Sequence, residues 1–528
     1  MRSVLTTAVV SGVVLALSAC GGSGNGGNGG QPVDGRTFTL VLGSDPGNLD
    51  PHFTSLASAQ QVNRFLYDSL VSVDTNGGLV AGLAEKWEAT TTSATFTLRK
   101  GVTCADGSPL TATQVARNIS FVGDPKNAST RLGLFVPAGA TATGDDPTGV
   151  VQVTSPTPAA FLALNVGSLH IVCGKGFADR ELLRKGADGT GMYTVTEAVA
   201  DDHYTLTRRA EYAWGPGDWR NDQPGLPAKV VVRIVPNETT ATNLLLSGEV
   251  NAVQIVGADK QRLRSARKFQ REVVSPLGEL WFNQKPGMPG ADEAVRRALT
   301  QALDLNQLGQ VLTSGTGRPA SGLVAASMTP CPQTSVSGSL PGHDVAAATA
   351  ALDAAGWVAG PDGVRARGGA RLEMTVYYPT SLGQTLKAAA ELLQQRWGEV
   401  GVRVTLRGLT DAEIGELIVG GKGTWGAALL PLSVTLPSEL VPFTSGPTPP
   451  DGGNFAAIDN ERYTAAVRKA SAMVGTEGCA SWSEAEQALI QEVDVVPFVD
   501  STTPTFGEAA TFELTRGSIA PTSVRMLG

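Results

Sequence analysis

The sequence predicts an α/β protein built as two lobes, and three observations lead there. With 528 residues, the chain is too long for one compact core and should divide into at least two bodies. Strands and helices alternate through residues 230–255 and again through 292–406, the pattern that lays parallel strands under helices. The hydrophobic fraction of 42% is that of a globular protein. A formal net charge of −8, from 41 Lys+Arg against 49 Asp+Glu, argues against nucleic acid as the main partner and identifies no other.

Residues 1–19 read as an export signal. One positive side chain, Arg2, precedes an apolar run that is shorter than the roughly 20 residues needed to cross a bilayer. The ending Leu17-Ser18-Ala19-Cys20 resembles the bacterial lipobox, which implies cleavage before Cys20 and acyl chains on that residue. Each buried methylene contributes about 0.8 kcal/mol, so more than one chain makes a stable anchor. The protein would then be tied to the outer face of the cell membrane without spanning it. Residues 20–35 follow as a glycine-rich flexible tether. Gly24, Gly26 and Gly29 match the dinucleotide fingerprint in spacing only, because no strand precedes them and no helix follows.

The folded part opens with a strand over 37–42, after which Gly43, Pro46, Gly47 and Pro51 break regular structure. Residues 61–120 carry the densest pattern. A helix with Val62, Phe65, Leu66 and Leu70 on one stripe leads into a short strand pair broken at Asn76-Gly77-Gly78. A hairpin closing over Thr90-Thr91-Thr92-Ser93 comes next, its second strand alternating Phe96 and Leu98 on one face with Thr95, Thr97 and Arg99 on the other. Past a turn at Ala105-Asp106-Gly107, Thr111 and Gln114 form a capping box that starts another helix.

The order LYDSLV, GLAEKWE, FTLRKGV and DGSPLTATQVA within this stretch resembles the peptide/nickel-type (family 5) extracellular solute-binding proteins of ABC importers. Farther along, GTGMY (with Met192 where the family has proline) and SGEVN (with Asn251 in place of an acid) are similar to family signatures. So are the blocks RRALTQALD, AALDAAGW and LLQQRWGEVGVRVTL. The resemblance implies a bilobal periplasmic-binding-protein type II fold in its large, three-subdomain, oligopeptide-binding-like variant. Lobe I would have its core in 36–58, 186–273 and 499–528, with 59–185 as an accessory subdomain, and lobe II would span 274–498. The chain would cross between lobes near 273–283 and again past Thr502, so that a cleft closes on a ligand favouring the closed state.

It further implies a monomeric binding subunit, neither an enzyme nor a cofactor or metal protein. Such a subunit captures an oligopeptide or similar small solute and delivers it to a permease. The chain has no GxxxxGK[ST] motif, so energy would come from a separate ATPase subunit. An envelope sensor without a transport role is the alternative. A surface hydrolase is another, though His52, His170, His203 and His343 are scattered and no nucleophile motif accompanies them.

Family likeness also points to site residues. The loop after the first strand lies at the cleft edge in the family, which makes Asn48 and Asp50 ligand contacts; a capped turn in which Asp50 bonds its own backbone is the other reading. Tyr193 and Asn283 join them. Trp281, Phe282 and Trp425 either stack on an apolar or sugar-like ligand or belong to the core. In peptide-binding members an aspartate soon after the segment corresponding to Thr424-Trp425 holds the ligand's amino terminus. Here the neighbourhood Leu432, Ser433, Val434 and Thr435 has no acid, and an ammonium buried without its partner loses roughly 3 to 5 kcal/mol. Either Glu439 substitutes or the ligand is not a zwitterionic peptide.

Beyond Cys20, an exported chain holds Cys104, Cys173, Cys331 and Cys479, which allow three pairings. Pairing Cys104 with Cys173 and Cys331 with Cys479 keeps each bridge within one lobe. No CxxC or HxxxH spacing supports zinc. Lys260, Arg262, Arg264, Arg267, Lys268 and Arg271 read as a solvated helix face. Ser265-x-x-Lys268 lacks the SDN and KTG partners of an acylating serine. The later helices are expected over 292–308, 344–355, 384–400 and 483–492, the last opened by Ser483 and Glu486, with strands over 372–378 and 402–406.

Overall fold

The computed structural model describes residues 30–528 apart from 55, 76, 258 and 433. The signal segment, Cys20, most of the tether and Ser433 therefore lie outside the described residues. One sheet runs through the whole molecule. Strands Tyr193–Val199, His203–Arg208, Lys229–Ile234, Thr37–Leu42 and Ala252–Gln254 form one side of it; Arg403–Leu409, Glu373–Pro379 and Ala427–Leu429 form the other. Two long antiparallel strands, Phe269–Phe282 and Val495–Gly507, join the sides.

Their register runs from Phe269↔Gly507 to Trp281↔Val495 and shifts between Pro276 and Glu279. Proline cannot donate to a ladder. At Gly278 an added Cβ would lie 2.4 Å from the Phe498 ring, so only glycine allows this approach. Before the irregularity the pair serves the first half, where Val495–Gly507 bonds to Ala252–Gln254. After it, Leu280, Trp281 and Phe282 bond to Ala427–Leu429 in the second half. The chain thus passes between halves where its ladder is weakest.

The strand-helix-strand segment forms as expected, with helix Glu238–Leu246 between its strands, yet those strands do not pair with each other. Thr37–Leu42 inserts between them, parallel to both. Asn251 holds the insertion: its Oδ1 accepts from the Thr39 N–H at 2.8 Å while its Nδ2 donates to the Glu508 carbonyl at 3.0 Å. A carboxylate could do only the first.

Hydrophobic cores follow the two halves. Phe38, Phe65, Phe96, Val115, Val166 and Tyr193 belong to one cluster, so the accessory region shares its core with the first sheet. Successive side chains of Phe269–Phe282 point to opposite faces. Phe282 enters the cluster with Trp397, and Trp281 the one with Trp425 and Phe455. Both disulfides pair as expected, Cys104–Cys173 and Cys331–Cys479, and the Thr111–Gln114 capping box forms.

Several expectations are corrected. The first helix is Ala57–Leu66, so Leu70 is buried outside it, ahead of strand Val71–Val73. The stretch 292–308 is two helices, Glu293–Gln301 and Leu305–Thr313, because the Asp304 side chain caps the second by accepting from the Gln307 N–H. The last helix starts at Cys479, which leaves Ser483 in its interior and Glu486 buried. In the basic run only Lys260–Ser265 is helical; Arg264, Lys268 and Arg271 are neutralised by Glu272, Glu508 and Glu513.

Candidate ligand-binding site

Two adjoining cavities, of about 350 and 260 Å³, lie in the first half where the helix Ala57–Leu66, the strand Val71–Val73 and the C-terminal segment meet. Arg64, Ser69, Ser72, Val73 and His170 line both, so the two share a wall. In the larger part Asp68 is half-buried, and its carboxylate accepts from the Thr190 hydroxyl at 3.0 Å, the Tyr212 hydroxyl at 3.1 Å and the Trp214 indole N–H at 3.0 Å. Burial still raises its pKa to about 6. The smaller part is lined by Arg64, Arg131 and Arg516 with Pro51, Phe135 and Ser168. Burial first, and then these arginines, hold His170 down near pKa 3, so its imidazole stays neutral. His52 behind it is lowered to about 4 by burial, and its Nε2–H donates to the His170 carbonyl at 3.1 Å.

A profile of the bacterial extracellular solute-binding proteins, family 5, matches residues 78–436. The chain belongs to this family. Protein XP55 of Streptomyces lividans is 29% identical over 371 residues, which cover 66% of this chain and 64% of that protein. The periplasmic murein peptide-binding protein MppA of Escherichia coli is 25% identical over 492 residues, 87% of this chain and 86% of MppA. A substrate-binding protein of Microbacterium hydrocarbonoxydans, complexed with 4-hydroxybenzoate hydrazide, superposes with TM-score 0.67 at 26% identity over 93% of this chain and 99% of that one. The unliganded open form of MppA gives TM-score 0.76 at 20% identity over 95% and 99%. The fold is the type II periplasmic-binding one, and the family consists of binding proteins rather than enzymes.

In this family 5 protein most of the expected contact residues are engaged with other parts of the protein. Asp50 pairs with Arg180 through two hydrogen bonds of 2.7 and 2.5 Å and accepts from the His52 N–H. Asn48 accepts from the Asp50 N–H at 3.0 Å, so the pair closes a turn, and only Pro51 beyond it lines the cavity. Tyr193, 1% exposed, donates its hydroxyl to the Pro227 carbonyl. Trp281 is wholly buried, with its indole N–H on the Leu430 carbonyl at 2.8 Å. Phe282 stacks on Trp397. Asn283 donates to the Trp425 carbonyl, and Trp425 packs beside Phe455. An aromatic in an alternating buried strand goes to the core unless a space is left on its face, and here none is.

Glu439 is committed as well: it accepts from the Thr435 and Leu436 N–H groups at 2.7 and 3.1 Å, capping helix Pro437–Thr444. Leu432 is half-buried and Val434 buried. The acid missing from their neighbourhood arrives from elsewhere, because Glu279 accepts from the Leu432 N–H at 2.9 Å. A signal for it was available, a lone acid inside the apolar run 273–283. The three arginines gave no such signal, being far apart in sequence. Among the described residues no group of His, Cys, Asp and Glu could hold a metal ion, and no helix is long and apolar enough to cross a membrane.

Proposed function

We propose that the protein is the lipid-anchored binding subunit of an ABC importer. Cys20 holds it to the outer membrane face, and the cavity beside Arg64 and Asp68 captures an oligopeptide or similar small solute for delivery to the permease and its ATPase. The observation that carries this reading is a pair of adjoining cavities on one half of a molecule in which, among the described residues, two long strands run between the halves and their pairing is irregular at the crossing. Such a joint bends at low cost, and a solute touching both halves favours the closed state. The halves also meet at their tips: Phe161 stacks on Trp482 with centroids 6.3 Å apart, and the Gly475 N–H donates to the Ala160 carbonyl at 2.7 Å. These contacts form and break as the cleft works.

Mass spectrometry of solutes released from the purified protein, together with X-ray scattering before and after adding them back, tests the reading. A released solute that contracts the scattering envelope is the expected result. A protein that yields no solute and keeps one profile across a library of peptides, sugars and organic acids is not a capture subunit. Cys20→Ser should move the protein from the membrane to the soluble fraction, as checked by fractionation.

A further inference from the structure

We infer that the smaller cavity is an anion-binding subsite in which Arg64, Arg131 and Arg516 receive a carboxylate of the captured solute. The inference rests on the reading that this space holds the ligand, and it names the charge of the ligand group.

None of the three guanidinium groups bonds to an acid among the described residues. Arg64 donates to the carbonyl and hydroxyl of Thr515. Arg131, 7% exposed, donates to the carbonyls of Pro51 and Thr54. Arg516 makes no hydrogen bond among the described residues and only faces the Phe135 ring, 5.9 Å away. None of the three forms an ion pair with a described residue, whereas neighbouring Arg180 is matched to Asp50. The acid that acts on Arg516 is Glu439, from the other half, and its carboxylate is already held by two backbone amides. Arg64 and Arg516 repel one another as well. Ser168 adds a buried hydroxyl with no partner on the same wall.

Three cations and no acid line about 260 Å³, an arrangement that is unfavourable when empty and favourable when filled by an oxyanion. Guanidinium forks match the two oxygens of a carboxylate in a plane, and each charge-assisted bond is roughly twice as strong as a neutral one. Phosphate offers the same oxygens, so it forms a second arm of the test.

Calorimetry on the full protein with tri-alanine, tri-alanine amide, succinate and inorganic phosphate decides the matter, for wild type, Arg516→Gln and Arg516→Lys. Arg516 is the probe because its side chain supports no other group, and a thermal melt confirms that each variant is folded. The expected result is a carboxylate probe whose affinity falls about 10- to 100-fold in Arg516→Gln, recovers in part in Arg516→Lys and weakens with salt, while any amide binding is unmoved. The same pattern with phosphate alone keeps the subsite and changes the anion. Anionic probes that bind both proteins equally, or an amide that binds as tightly as the acid, overturn the inference and leave solute capture standing. If no anionic probe binds more tightly than about 1 mM while a neutral solute is released from the protein, the inference also falls. If nothing binds and nothing is released, capture falls with it.

Discussion

In the first half of the molecule Arg64, Arg131 and Arg516 surround a space that a solute can enter. In the second half Glu279, Glu486 and Asp500 lie inside the protein, none more than 3% exposed. No member of either group forms an ion pair with a described residue. Glu279 has one oxygen without a partner, as does Asp500, and neither oxygen of Glu486 has one. A carboxylate escapes this by taking a proton: burial raises Glu279 to about 8 and Glu486 to about 7, and mutual repulsion adds to the effect. Arginine has no such exit. Burial lowers Arg64 and Arg131 only to about 10, well above neutral pH. The second half therefore hides its charge near neutrality, while the first keeps its own and offers it to a ligand.

Four experiments break or sharpen that contrast. The largest effect belongs to the disulfides. Cys331–Cys479 closes 148 residues and Cys104–Cys173 closes 69, so replacing the first pair with serine should lower stability by on the order of 5 kcal/mol and the second by on the order of 4. Urea unfolding measures both, and a reversed order would mean that local packing outweighs loop closure.

Arg180→Ala tests the matched pair in the first half. It orphans the buried Asp50 and should lose about 3 to 5 kcal/mol by the same assay; a loss below about 1 kcal/mol would show Asp50 to be well solvated.

Glu279→Gln tests the proton. Because the folded-state pKa lies above the unfolded value, the native state binds the extra proton between about pH 4.5 and 8, and stability falls as pH rises through that window. The glutamine variant should flatten this slope and be more stable at pH 8.5 by on the order of 2 to 4 kcal/mol, and parallel pH–stability curves would mean that Glu279 is ionised throughout.

Smallest is Arg516→Gln, which removes repulsion from Arg64 and should change stability by less than about 1 kcal/mol, in the stabilising direction. A larger loss in chemical denaturation would make Arg516 a structural residue.

Much of the framework was legible because local patterns set it. The capping box at Thr111, the helix capped by Asp344 and the hairpin 84–98 answer to spacings of a few residues. Failures arose where a local rule met a longer-range one. Asp304 falls inside the helix expected over 292–308 and proved to be the cap of a second. Ser483 and Glu486 had the spacing of a helix start, but the Cys479 end lies a turn earlier, and Glu486 turned inward. Among the site residues, Trp281 and Phe282 followed the strand alternation into the core, Trp425 joined it from the loop before strand Ala427–Leu429, and Asp50 was taken by Arg180, a residue that no local pattern links to it.

From the sequence alone follow the two-part α/β plan, most of the order of its elements and the family, since each is written in periodicity, turn chemistry or motif order. Only the tertiary structure decides which charges are matched and which are left over. Ion pairing depends on distances between segments hundreds of positions apart, and neither Arg64 nor Arg516 carries any mark of the other until the C-terminal segment has packed against the first helix.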